Sequence, residues 1–421
     1  MRKLIFILGL SLQIPAYAQS YTLPVIESLA IQNYPLIKQS DLLNKTAQLS
    51  VENIHRALYP QITLNGQASY QTDVTSIQIP IPGFSPSALS NDQYRATIDV
   101  QQNIYDGGIN KTMTQIVEAG NKVALLKNEV NIYQLKERVT QLYCSILYTQ
   151  SVIGQIELIN KDLSQALSKV EALHKNGLVF NNNVLQIKAQ ILKNQQKLTE
   201  VIASKKIVLD ALGLLTNTNF QLSTPFEMPN TILAVDNQPE YERPEFRLFD
   251  AQKNNIQSQL ALVDAKNNPK ISAFLQTGYG RPALNMLKND FALFGIGGIR
   301  LQWSLGNFYT AKREKTILQN QTLLVQNEKE TYSLNHRIEL QKYLDEIEKL
   351  NSLIVADKEL IELRNQIKNT SLVQLNNGVI TANDYLKEVN EYDQANQLLI
   401  QHQTQVVQSK LQYHLTKGKS N

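Results

Sequence analysis

Proline is absent from two long tracts of this 421-residue chain, residues 87–224 and residue 283 to the C-terminus. Proline fixes φ and removes a backbone N–H, so its absence leaves both tracts free to run as unbroken helix. Cysteine occurs once, at Cys144, which excludes an internal disulfide and a cysteine-based zinc site and leaves a buried helix residue as the reading. Charge is sparse: only 19% of residues are charged, and the formal net charge of +4 loses two units if Arg2 and Lys3 are removed. That balance provides no concentrated basic face, so nucleic acid is not an expected partner. The five histidines, His55, His174, His336, His402 and His414, lack the i, i+4 spacing of a helical metal pair and read as structural or surface residues. With no convergent acid, base or nucleophile either, the sequence points to no enzyme, no metal and no cofactor. Beyond residue 18 no run of about 18–20 apolar residues occurs, so no transmembrane helix is expected. A mature chain that spans a membrane must do so with strands.

Residues 1–18 have the form of a secretory signal, with Arg2 and Lys3, an apolar run from Leu4 to Leu12, and Ala16-Tyr17-Ala18 before Gln19. No cysteine follows, so a lipoprotein anchor is not expected. Residues 22–58 read as a helix broken at Tyr34-Pro35 and ended by Tyr59-Pro60. The period then switches to two. Ile62, Leu64, Gly66, Ala68 and Tyr70 alternate with polar residues, and Tyr94, Ala96, Ile98 and Val100 do the same after a loop carrying Pro80, Pro82, Gly83 and Pro86. Tyr105-Asp106-Gly107-Gly108 closes this strand pair, and a helical pattern runs from Lys111 to Lys175, turns at Asn176-Gly177-Leu178 and returns to Leu212. The outgoing segment alone is a rod of roughly 100 Å at ~1.5 Å per residue.

The layout then recurs. Arg243-Pro244-Glu245 opens a helix, and Asn268-Pro269 stands where Tyr59-Pro60 stood. Ile271, Ala273, Leu275, Thr277 and Tyr279 form a third alternating segment, and Phe291, Leu293, Gly295, Gly297, Ile299, Leu301 and Trp303 one face of a fourth. A second helical tract from Tyr309 turns at Asn377-Gly378-Val379 and returns to about Leu415. Pro60 and Pro269 lie 209 residues apart, Gly177 and Gly378 201. The expected organisation is therefore a signal (1–18), a first repeat (19–212) with strands 61–74 and 93–104 and hairpin 111–212, an irregular connection (213–242), and a second repeat (243–416) with strands 271–281 and 290–304 and hairpin 309–416.

Four strands of about ten residues suit an outer-membrane barrel, but in lipid an open sheet edge leaves backbone groups unpaired. Closure must come from other copies, and three chains would supply twelve strands. Tyr70, Tyr94, Tyr105, Tyr279 and Trp303 near the strand ends would suit membrane-interface girdles; the other reading makes them ordinary strand aromatics facing a soluble core. The rods must bury their apolar seams on other helices, and a helix such as 22–58 or 243–266 could stack end to end with a shorter return helix.

The order and spacing of Tyr59-Pro60, Tyr105-Asp106-Gly107-Gly108, Arg243-Pro244-Glu245 and the Gly-Leu and Gly-Val tips resemble the TolC-like outer-membrane efflux proteins over residues 21–416. The resemblance implies a mixed α+β membrane protein: a homotrimer with a twelve-stranded β-barrel in outer-membrane lipid and an α-helical barrel in the periplasm. It implies an exit duct for efflux or type I secretion in a Gram-negative envelope, joined by a periplasmic adaptor (membrane fusion) protein to an inner-membrane pump. It further implies that the tips meet the adaptor and that the helices beside the second tip close the tunnel. Gly177 and Gly378 would make the turns. Leu178, Phe180, Val379 and Ile380 would contact the adaptor or close the tunnel hydrophobically. Asp384 falls at an acidic constriction position of the family, whereas the family's second acidic position is Lys387 here. Asp384 reads equally as the cap of the returning helix at Thr381. The competing class is a soluble periplasmic coiled-coil tether or adaptor, which would not need two strand pairs each set directly before a long hairpin.

Overall fold

A computed structural model describes residues 20–75, 89–229 and 243–418; the expected signal, the proline-rich loop and the later part of the 213–242 connection lie outside them. The described elements are α1 (Leu23–Asn33), a 3-10 turn (Pro35–Lys38), α2 (Gln39–Arg56), β1 (Gln61–Tyr70), β2 (Asp92–Tyr105), α3 (Ile109–Lys175), α4 (Asn181–Thr216), α5 (Pro244–Lys266), β3 (Lys270–Arg281), β4 (Ala292–Gln302), a second 3-10 turn (Leu305–Asn307), α6 (Phe308–Asn376) and α7 (Ala382–Lys417). Tyr34 is extended, at φ −74° and ψ 125°, as the residue before a proline prefers, and this breaks the first helix where expected. No described helix is long and apolar enough to cross a membrane.

The chain packs as two compact units, and each draws on both halves of the sequence. One comprises Met1–Ile37, Glu129–Pro244 and Tyr332–Asn421; the other comprises Lys38–Asn128 and Glu245–Thr331. The first unit is helical. Leu23, Ile26 and Ala30 of α1 pack with Leu135, Val139, Tyr143 and Ile146 of α3, Leu209 and Leu212 of α4, and Leu411 of α7. Tyr143 organises the irregular chain around this core, because its single hydroxyl donor sits 2.7 Å from the carbonyl oxygens of both Tyr21 and Glu227. Tyr21 and Phe226 form a parallel bridge, and the rings of Tyr21, Phe220, Phe226 and Tyr143 meet at centroid distances of 5.2–6.1 Å. Cys144 is buried beside Tyr143, and burial pushes its thiol up to about 12, so it packs as a small inert hydrophobe. Arg243, next to the start of α5, pairs with Glu137 of α3 at 3.0 Å and lies 5.0 Å from the Tyr133 ring centroid.

The second unit holds one antiparallel sheet in the order β1-β2-β3-β4. Register places Ile62 opposite Val100, Leu64 opposite Ile98, and Ala96 opposite Tyr279. Leu275 faces Gly297, and Ile271 faces Leu301. The alternating apolar residues therefore share one face. β1 ends at Tyr70, four residues short of the expected 74, and β4 spans Ala292–Gln302 rather than 290–304. The turn into α3 is built on Asp106, whose carboxylate accepts from the N–H groups of Gly108 and Asn110 at 2.9 and 2.7 Å. Gly107 has φ +78°, and a Cβ there would come within 2.8 Å of the Ala265 carbonyl oxygen, so this position requires glycine.

The first return helix does not stop at Leu212. It continues through Gly213 to Thr216, and Asn217 ends it in the left-handed region at φ 51°. Gly213 acts here as a point of close approach, since a Cβ would meet the Thr218 carbonyl oxygen at 2.7 Å. Gly213→Ala is expected to lower stability by about 1–3 kcal/mol through overpacking against a backbone oxygen. Gly154→Ala, in mid-α3 with nothing within 4 Å of its Cβ position, should instead stabilise by about 0.5–1 kcal/mol. The thermal midpoints of the two purified variants, shifted in opposite directions from the parent, check this.

Candidate functional site: the hairpin tips and the strand sheet

Both hairpin tips use the same backbone device. Gly177 has φ 72° and Gly378 φ 70°. Gly177 N–H donates to His174 O at 2.9 Å and Leu178 N–H to Leu173 O at 3.0 Å; Gly378 and Val379 donate likewise to Leu375 and Gln374 at 3.1 and 2.9 Å. This pair of reversed bonds is the Schellman motif, which satisfies the last carbonyls of a helix and needs a left-handed residue at the glycine. Beneath the tips Leu163, Ala166 and Val170 of α3, Val184 and Ile187 of α4, Leu375 of α6, and Tyr385 and Val389 of α7 form a four-helix core. Burial pushes the Tyr385 phenol up to about 12.

The apolar tip residues divide into two kinds. Leu178, Phe180 and Val379 are 68%, 85% and 70% exposed. Ile380 is half-buried and packs on the tip core together with Val179. Its neighbour Thr381 turns the chain into α7.

Asp384 belongs to a capping box. Its carboxylate accepts from Thr381 N–H at 3.1 Å and from the Thr381 hydroxyl at 2.7 Å, while its own N–H donates to Thr381 Oγ1 at 3.3 Å. The Thr381 hydroxyl and amide, with Lys387 contributing least, hold the exposed carboxyl below the usual aspartate range. The first tip has no such box: Phe180 caps α4 without a side-chain bond. Asn183 of α4 reaches across instead, and its Oδ1 accepts from Ala382 N–H at the start of α7, 3.1 Å away. The two tips are thus joined through a free helix donor.

Polar side chains link the tip helices further along. Lys368 of α6 is 2.8 Å from Asp162 of α3 and lies 4.2 Å over the Tyr392 ring of α7. Arg364 pairs with Glu388 and Glu391 at 3.4 and 3.0 Å. Asp393 accepts from Gln155 and Gln397 at 3.3 and 2.6 Å, and burial holds its carboxyl above the usual range against the pull of Gln155 and Lys197. His402 Nδ1 is 2.6 Å from Asp357 Oδ2, a pairing across 45 positions that no sequence spacing signals. Among the described residues no group of three or more His, Cys, Asp or Glu is placed to hold a metal ion.

The aromatic residues singled out along the strands lie at the strand ends on or beside the aliphatic face. Tyr94, Phe291 and Tyr279 stack in series at 6.2 and 5.5 Å, with the Arg281 guanidinium 5.7 Å from Tyr94 and 5.2 Å from Phe291; Tyr70 ends β1 beside this stack's end of the sheet. Tyr105 and Trp303 mark the helix end, where the Trp303 indole N–H donates to Asn267 O at 2.9 Å. By alternation Tyr105 should fall with Asp99, Gln101 and Asn103 on the polar face. A bulge between Asn103 and Tyr105 pairs it with Ile271 and turns it to the aliphatic face, the re-aiming such bulges perform.

Residues 26–218 match the family model described as outer membrane efflux protein. That match spans somewhat less than half of the chain, and it agrees with the resemblance of the sequence to the TolC-like outer-membrane channels. Among solved structures it is similar to the outer membrane protein VceC of Vibrio cholerae, with 14% identity over 94% of this chain and 96% of the other and a TM-score of 0.71. It is also similar to the open state of the MtrE outer membrane channel of Neisseria gonorrhoeae (13% identity, 94% and 89% covered, TM-score 0.70) and to the CmeC outer membrane channel of Campylobacter jejuni (13% identity, 94% and 85% covered, TM-score 0.69). At these identities the likeness is one of fold. No curated protein sequence matches the chain.

Thr381→Ala is expected to cost the α7 N-terminus about 1 kcal/mol, the usual value of a lost cap, seen as faster hydrogen exchange at the amides of Ala382–Tyr385. The lowered Asp384 carboxyl adds protection that is complete above the unfolded aspartate value near pH ~4 and disappears as pH falls through the folded value. In Asp384→Asn this acid-dependent loss at the tip should vanish.

Proposed function

We infer that this chain is the exit duct of a tripartite export system, an outer-membrane channel that passively conducts substrates from the periplasm to the outside of a Gram-negative cell. The strand sheet carries the reading. Its aliphatic face is open, with Ile62, Leu64, Leu293, Ile299 and Leu301 each about 70–80% exposed, and aromatic residues border it at both ends. Such a face suits hydrocarbon and would promote aggregation in water, which argues against a soluble tether. From Tyr94 to Tyr105 the strand covers about 37 Å, or roughly 28 Å of height at the usual barrel tilt, close to the ~25 Å apolar band of outer-membrane barrels. On this reading Tyr70, Tyr94, Tyr105, Tyr279 and Trp303 sit at the two membrane interfaces.

Three copies would close twelve strands, and the helices also call for partner copies. α6 leaves Leu323, Leu324, Leu334, Ile338, Val355 and Leu363 more than half exposed or nearly so, an apolar stripe that neighbouring hairpins would cover. Two sequence repeats, each giving one strand pair and one hairpin, would place six hairpins around the three-fold axis. The tips then carry the partner contacts: Leu178, Phe180 and Val379 meet a periplasmic adaptor that joins the duct to an inner-membrane pump, Ile380 anchors the second tip, and Gly177 and Gly378 set the turns. Asp384 and Lys387, a turn apart on α7, line the periplasmic gate as a ring of mixed charge.

Extraction of the mature chain from outer membranes in mild detergent should give a species of about three chains. A monomer or dimer in the soluble periplasm would overturn the channel reading. Phe180→Asp combined with Val379→Asp should leave that native mass unchanged while reducing adaptor-dependent export on the order of tenfold, as loss of apolar anchors does at interfaces. Normal export by the double variant would remove the tips from the adaptor contact.

A further inference from the structure

The second face of the sheet holds two arginines seated on phenylalanine rings, with no carboxylate facing either. β1 and β2 contribute Thr63, Asn65, Gln67, Arg95, Thr97 and Asp99 to this face by register. β3 and β4 add Phe274, Gln276, Phe294 and Arg300. Phe294 is only 8% exposed although it stands on an open sheet. Its ring reaches to Gly278, where a Cβ would come within 2.9 Å of the ring Cζ and 2.5 Å of Ala96 O. The Arg95 guanidinium covers that ring at 5.5 Å from its centroid. The arrangement repeats with the strands exchanged: the Phe274 ring is 3.2 Å from the Cβ position of Gly298, and the Arg300 guanidinium is 5.0 Å from the Phe274 centroid.

Arg95 pairs with Gly280, and Arg300 pairs with Ser272, so the backbones that carry the two arginines stand about 27 Å apart along β3. Asp99 is the one carboxylate that the described strands place on this face, and it lies between the tiers. It is held by amides and a hydroxyl, accepting from Asn65 and Gln276 at 2.5 Å each and from Thr97 at 3.0 Å. Neither Arg95 nor Arg300 has an ion pair among the described residues, and both are exposed. A ring face holds a guanidinium in place without neutralising it and leaves the N–H fork free for a carboxylate, sulfonate or phosphate.

We propose that this face is an anion-guiding wall, in which ring-backed Arg95 and Arg300 pass oxyanion-bearing solutes along the barrel lumen. The proposal rests on the reading of the sheet as part of a closed barrel. Gly278 and Gly298 leave the space that the two rings occupy against the sheet, and the guanidinium groups stacked on them project a positive field into the lumen. Three chains would set six such guanidinium groups around the pathway.

The test is the reversal potential of the trimer in planar lipid bilayers under a KCl gradient, for the parent, Arg95→Gln, Arg300→Gln, the double variant and the charge-conserving Arg95→Lys/Arg300→Lys chain. Removal of both charges should move the chloride-to-potassium permeability ratio toward potassium by about threefold or more, each single variant contributing part of the shift, while the lysine chain stays near the parent. The single variants each alter one exposed side chain and give the same reading if the double variant does not assemble. Block of the parent by a small aromatic sulfonate should also weaken with the glutamine substitutions. Open channels with an unchanged permeability ratio in the glutamine variants would overturn the anion-guiding wall while leaving the channel in place. A parent that inserts no conducting pore would overturn the channel reading and the wall together.

Discussion

Among the described residues both edges of the β1-β2-β3-β4 sheet are bare, and that constraint governs the rest of the structure. Each unpaired N–H or C=O placed in hydrocarbon costs several kcal/mol, so four strands with an aliphatic face cannot enter a bilayer alone. Only pairing of β4 with the β1 of another copy removes the edges without leaving a new one. The same closure assigns the faces: the aliphatic side must meet lipid and the side with Asn65, Asp99 and Gln276 must meet water. It also fixes the symmetry under which the helices have to pack, because they are covalently continuous with the strands.

Period-two alternation made the strand faces legible, because burial or lipid contact on one side imposes it and a one-residue slip would reverse every side chain. The tips were legible for a related reason, since glycine is the residue that adopts φ near +70° without cost. What escaped the sequence depended on contacts distant along the chain. Tyr105 shares the parity of the polar residues before it, and only the bulge against β3 turns it over. Phe274 and Phe294 look like faults in a polar face until Gly298 and Gly278, on the neighbouring strands, are seen beneath them. Asn183 has no pattern that marks it as the acceptor for a donor 199 positions away.

Gly213 misled the reading for the opposite reason. A glycine followed by threonine and asparagine resembles a helix stop, but the true stop is Asn217, and the glycine serves the chain that folds back through Thr218. Tyr143 lies inside a helical tract with nothing in the sequence to mark it, yet its hydroxyl reaches two segments of irregular backbone. In both cases a local signal was outweighed by a backbone carbonyl that the fold had to satisfy.

The two outgoing helices show how one sequence pattern came to serve two kinds of packing. α3 buries a nearly continuous seam from Leu126 through Val139, Ile146, Ile156 and Leu163 to Val170, and its neighbours within the chain supply the partners. α6 is almost the same length, but its fully buried apolar residues are confined to Ile347, Leu350 and Leu375, while aliphatic side chains are exposed from Ile317 to Val373. Helix propensity cannot hold a 69-residue rod in water with its seam open. α3 is therefore the outgoing helix that a single chain covers, and α6 is the one whose exposed aliphatic residues call for further copies. The sheet makes the same demand through its backbone, so helix packing and strand pairing call for the same assembly by independent physical routes.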